Sequence, residues 1–78
     1  MIFLIEYDRL KGRLINLTPF TDSQRRLAEA TRVELELKLN RDRVRREVVL
    51  LEAADKKALR RTHRRYFYDL SRLVRSLA

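Results

Sequence analysis

Between Lys56 and Arg75 the chain separates its charge from its apolar side chains on a helical period. Eight cations, Lys56, Lys57, Arg60, Arg61, Arg64, Arg65, Arg72 and Arg75, share that stretch with one carboxylate, Asp69. At about 100° per residue the cations gather on one side, while Leu59, Thr62, Tyr66, Leu70, Leu73 and Leu77 line the other. The pattern predicts a long basic helix from Asp55 to the chain end, docked by its apolar face. At about 1.5 Å per residue it reaches about 36 Å, so its last turns project beyond the domain.

Such a helix carries internal repulsion. Lys56, Arg60 and Arg64 form one i,i+4 row and Lys57, Arg61 and Arg65 another, and each like-charge contact costs about 0.2–0.5 kcal/mol. Lys56 and Lys57 also sit at the positive end of the helix dipole, which Asp55 offsets only in part. A polyanion would relieve this repulsion and bind the folded state. A solvated face kept basic for solubility has the same composition.

The rest of the composition narrows the class. A length of 78 residues gives one small domain with a thin core, which a dimer partner would help to complete. The apolar share of 45% with 38% charged residues is that of a folded chain. Without cysteine there is no disulfide framework, thiolate nucleophile or Cys-based zinc site, and a cytoplasmic location follows as the expectation. The apolar run Met1 to Ile5 has no basic region before it and is too short for a signal peptide or a membrane span. One glycine and one proline leave no glycine-rich phosphate loop and no low-complexity linker. Residues 1–40 carry a net charge of +1 and residues 41–78 of +7, so any surface for an anionic partner belongs to the second half.

Ile2 to Asp8 is β-branched and aromatic, with Phe3, Ile5 and Tyr7 alternating with Leu4, Glu6 and Asp8, and reads as a strand. A turn over Arg9 to Gly12 returns the chain into a second strand, Arg13 to Thr18, in which Ile15 and Leu17 share a face and which Pro19 ends. Thr21 and Gln24 stand at capping-box spacing and start a helix. Leu27, Ala28, Thr31, Leu35 and Leu39 form its core stripe. Val33 to Leu39 also alternates as a strand would, but Leu, Glu and Lys are helix formers and nothing breaks the run from Gln24, so helix is predicted. Ala30, Val33 and Leu37 then form a second apolar strip facing away from the core, suited to a dimer interface. After a polar connection, Asn40 to Arg46, the run Val48 to Leu51 reads as a strand buried on both faces and central in the sheet. The class is α+β, in the order ββαβα: a small three-stranded mixed or antiparallel sheet covered by two helices. The third strand runs parallel to the second and antiparallel to the first; if it pairs with the first, that strand lies in the middle.

The candidate site residues follow from the basic helix. Lys57, Arg60, Arg61, Arg64, Arg65 and Arg72 are expected to contact phosphates, and Tyr68, lying among the cations, to stack on a base or under a guanidinium. Tyr66 and Phe67 lean towards the core. His63 is the only histidine and lacks companions for a metal site, so a hydrogen-bonded packing role is expected. Glu6 and Asp8 have the two-residue spacing of a carboxylate pair for Mg²⁺, although a solvated sheet face gives the same pattern. Glu36, Leu37 and Lys38, with Asp22 before them, loosely resemble the E-x-K core of the PD-(D/E)xK nucleases. That resemblance would make the acids metal ligands and the lysine an aid to the attacking water. It covers three residues, lacks the Pro-Asp pair and requires a strand where helix is predicted. A basic helix could also lie on an anionic membrane through Leu70, Leu73, Val74 and Leu77, but the core needs those residues. The reading is a non-catalytic module without metal or cofactor that binds the DNA or RNA phosphate backbone, is homodimeric, and does not act at membranes. The alternative is a homodimeric adaptor, or the partner of an acidic protein.

Overall fold

The computed structural model describes residues 1–68. Two strands, β1 (Ile2–Asp8) and β2 (Arg13–Phe20), form a hairpin; helix α1 (Arg25–Arg41) follows a 3₁₀ turn at Asp22–Gln24; strand β3 (Glu47–Glu52) leads to the short helix α2 (Lys56–Thr62) and a 3₁₀ turn at Arg64–Tyr66. The sheet order is β2-β1-β3 with both pairings antiparallel. This is the expected α+β class and ββαβα order, and β3 runs parallel to β2 across the intervening β1.

Helices cover opposite faces of the sheet. Phe3, Ile5 and Tyr7 pack with Leu59 of α2 and with Tyr66, joined by the half-buried Leu14, Leu17, Val49, Leu51, Ala53 and Phe67. Ile2, Leu4 and Phe20 pack on the other face with Ala28 of α1, flanked by Leu35, Val48 and Leu50. All seven residues of β1 are therefore buried. The central strand is β1, and β3, expected in the centre, lies at an edge. Its apolar run arises because helices flank it on both faces, which an edge strand with two covered faces shares with a central one.

The hairpin departs from simple alternation in two places. The turn is closed by Gly12 at φ 63°, a left-handed conformation that costs glycine nothing. Between Glu6 and Tyr7 the register with β2 shifts, so that Glu6 faces Asn16 and Tyr7 faces Leu14. The bulge puts Leu14 and Leu17 on the core side, not Ile15 and Leu17, and leaves Ile15 exposed. Pro19 does not end β2; the strand continues through it to Phe20. Met1 and Ala53 exchange backbone hydrogen bonds in both directions, so Phe3, two positions on, turns its N–H and C=O towards β3. Pro19, opposite Phe3, therefore has its nitrogen on the outer edge, where a missing N–H interrupts nothing.

Residues 33–39 are helical, as predicted. Thr21 N–H donates to Gln24 Oε1 at 2.9 Å and Gln24 N–H to the Thr21 carbonyl at 3.0 Å, which starts the turn ahead of α1. Leu27, placed in the core stripe by its spacing, is 53% exposed. The sheet-facing side of α1 is instead centred on Ala28 and Leu35. The helix ends in a Schellman arrangement: Val44 N–H reaches the Leu39 carbonyl at 2.9 Å and Arg43 N–H the Asn40 carbonyl at 3.2 Å, with Arg43 at φ 57°.

The long basic helix is not continuous. Asp55 caps α2, accepting the Ala58 N–H at 2.8 Å, but α2 stops at Thr62, where His63 takes φ −124° and ψ 53°. Thr62, expected on the apolar side, is exposed. Ending the helix there removes the Arg60–Arg64 and Arg61–Arg65 like-charge spacings and swings Tyr66 beneath the sheet. Its ring meets Tyr7 edge to face, with centroids 5.2 Å apart at 88°. Such a pair is worth about 0.5–1.5 kcal/mol beyond its buried area, and each like-charge contact avoided would cost about 0.2–0.5 kcal/mol. The expected extension through residues 69–78 lies outside the described residues.

Candidate nucleic-acid interface

The predicted phosphate-binding residues divide into two groups. Lys57, Arg60, Arg61 and Arg64 are exposed, and none of them forms an ion pair among the described residues. Arg65, also exposed, is tied to the sheet. Its Nη2 donates to Glu47 Oε1 of β3 and to the Tyr66 hydroxyl, both at 2.7 Å. Its guanidinium lies 4.2 Å from the Tyr66 ring centroid and 5.9 Å from that of Tyr7. The hydrogen bond to Glu47 keeps Arg65 charged well into the alkaline range. Burial, reinforced by the nearby Glu47 carboxylate, pushes the Tyr66 phenol above its ordinary value, so it stays neutral. Arg65 thus pins the 3₁₀ turn to the sheet, a role its spacing did not reveal. Arg72 lies outside the described residues.

Beside this clasp is a groove of about 240 Å³ lined by Arg13, Leu14, Arg60, Tyr66, Phe67 and Tyr68. The Arg60 guanidinium sits 5.3 Å from the Phe67 ring centroid, which orients a cation along the groove wall. Tyr68 is 52% exposed. Arg13 enters from the start of β2 and was not expected here; only the hairpin register brings it beside α2, and no local pattern marks it. Phe67, read as core, both packs on the core cluster and lines the groove. Cationic side chains and aromatic rings therefore stand side by side.

Elsewhere, Glu6 and Asp8 are not on a solvated face. They are 7% and 5% exposed, and Arg46 sits between them, with Nε 3.3 Å from Glu6 and Nη1 3.6 Å from Asp8. The guanidinium balances the charge of both carboxylates. Asp8 Oδ1 also accepts the Leu10 and Lys11 N–H groups at 3.0 Å each. These backbone hydrogen bonds, Lys11 foremost, together with the charge of Arg46 outweigh the cost of burial and hold Asp8 below the usual carboxylate range. The E-x-K residues lie on α1, so the nuclease-like strand does not form. His63 is half-buried, and its backbone N–H donates to the Leu59 carbonyl at 2.9 Å. Among the described residues no group of three His, Cys, Asp or Glu is placed to hold a metal, and no helix is long and apolar enough to cross a membrane. The residues proposed for a membrane face, Leu70, Leu73, Val74 and Leu77, lie outside the described ones. On α1 the outward strip is present: Val33 is 45% and Leu37 64% exposed, with Ala30 exposed beside them.

No protein-family model, curated protein or solved structure matches this chain.

Proposed function

We propose that this protein is a nucleic-acid-binding module that acts by binding, not by catalysis, and that it prefers single strands. The observation that carries the reading is the groove beside α2, where Arg13 and Arg60 flank Phe67 and the exposed Tyr68; Lys57, Arg61 and Arg64 are further exposed cations of α2 and the turn after it. A base stacked on Tyr68 leaves its phosphates within reach of the arginines, and duplex bases are not free to stack in this way. The reading rests on clustered charge and aromatic faces and not on a base-reading motif, so the expected sequence preference is small. The buried carboxylates, whose spacing alone suggests hydrolytic chemistry, are engaged by Arg46.

The test is titration of labelled single-stranded DNA, single-stranded RNA and duplex DNA across a salt series. Single strands should bind more tightly than duplex. Tyr68→Ala should weaken single-strand binding about tenfold, within the about 1–3 kcal/mol of one stacked base. Arg60→Glu with Arg64→Glu should weaken all three ligands and flatten the salt slope. Equal affinity of wild type and the double variant would refute the reading. A second reading is favoured by Ala30, Val33 and Leu37, whose exposure on α1 suits a protein partner; Leu37→Asp would abolish that contact and leave nucleic-acid binding intact.

A further inference from the structure

The two edges of the sheet are unlike. The β2 edge carries Pro19, without an N–H, and the bulge at Ile15, two devices that stop another strand from pairing there. The β3 edge has neither: Glu47–Glu52 is a regular strand without proline, glycine or bulge. The ladder with β1 fixes which of its groups have no backbone partner among the described residues. Ala53 is hydrogen-bonded to Met1 in both directions, so by alternation Leu51, Val49 and Glu47 also turn their backbone groups to β1, and Val48, Leu50 and Glu52 turn theirs outward.

We infer that β3 pairs antiparallel with β3 of a second copy, about a two-fold axis at Leu50, to form a continuous six-stranded sheet. The occupant follows from register, because the outward groups of β3 are complementary to those of its own copy. Two outward-facing residues can be opposite each other only when Val48, Leu50 and Glu52 meet Val48, Leu50 and Glu52 of the other strand. Placing Leu50 on the axis pairs Leu50 with its own copy and Val48 with Glu52, and uses every outward group of both strands. The register that would set Glu47 against Glu52 is excluded, because Glu47 turns its backbone to β1. The carboxylates also bring no bare charge to the seam: Glu47 is bound by Arg65 and Glu52 by Arg25 within each chain. An in-sheet two-fold axis is perpendicular to the sheet, so both α2 surfaces lie on the same face of the dimer. This inference stands apart from the nucleic-acid reading and is tested without nucleic acid.

The experiment is sedimentation equilibrium of the full chain with two variants, Val48→Pro and Leu37→Asp. Val48→Pro removes an outward N–H and spares the ladder with β1, so the mass should fall by half with an unchanged circular dichroism spectrum. Leu37→Asp should remain dimeric. Amide exchange on the wild-type protein provides a second readout, in which the Leu50 and Glu52 amides gain protection as protein concentration rises. A wild-type monomer at every concentration, a dimer that survives in folded Val48→Pro, or a dimer with the Leu50 and Glu52 amides unprotected would each overturn the inference. Should Val48→Pro fail to fold, the exchange result decides alone.

Discussion

Asp8 sits on the sheet face covered by α1 yet serves the hairpin turn. Its carboxylate accepts two turn amides and faces Arg46, so it binds a proton less readily in the folded chain than in the unfolded one. The sign follows from linkage: stability from this group is complete above its ordinary pKa, near pH 4, and is lost as pH falls through the lower folded value. Asp8→Asn keeps an oxygen for the Leu10 and Lys11 amides and deletes the charge. Its stability should therefore depend less on pH than that of wild type below about pH 4, as measured by urea unfolding across the acid range. An unchanged acid slope would mean that other carboxylates govern acid unfolding. The presence of these two acids was plain in the sequence, but their partner was not. Arg46 lies in a run of arginines that gives no sign of which one turns inwards.

The elements were legible where periodicity is local and illegible where a partner decides. Alternation from Ile2 to Asp8, and the residue types from Gln24 to Leu39, carried the hairpin and α1. Pro19 was misread because whether its nitrogen faces a neighbour or solvent depends on pairing parity, which single-strand patterns do not encode. The stop at Thr62 has no glycine or proline behind it; contacts of Tyr66 and Arg65 with the sheet end the helix. A helix this short depends on docking more than on its own propensity. Leu59 is fully buried, so Leu59→Ala should cost about 2–5 kcal/mol, whereas Asp55→Ala, which removes only the cap, should cost about 1 kcal/mol. Denaturant unfolding of the two variants checks the order, and the reverse order would mean that α2 is held by local capping. Similarly, the positive charge of the candidate site could be read from residues 56–65, but the inclusion of Arg13 and the internal duty of Arg65 could not.

At the scale of the whole molecule, one surface and one seam respond to salt in opposite directions. Each chain carries a net charge of +8, so two copies repel and added salt should strengthen the β3 seam by screening. Phosphate binding releases counterions and must weaken instead. For a single strand the log–log slope is about −0.7 per phosphate contact, so the five cations Arg13, Lys57, Arg60, Arg61 and Arg64 give about −3.5 per protomer, roughly a hundredfold loss between about 50 and about 200 mM salt. A dimer presenting both α2 surfaces on one face can engage a sufficiently long strand twice, which adds avidity and doubles that slope. Val48→Pro should therefore halve the slope on a long oligonucleotide and leave it unchanged on one that reaches a single groove. Tyr68→Ala should lower affinity on both lengths without changing the slope, since it removes stacking and no charge. A long-oligonucleotide slope that is identical in wild type and Val48→Pro would count against two-fold engagement alone. Absence of binding by either protein would count against the groove and leave the seam to its own test.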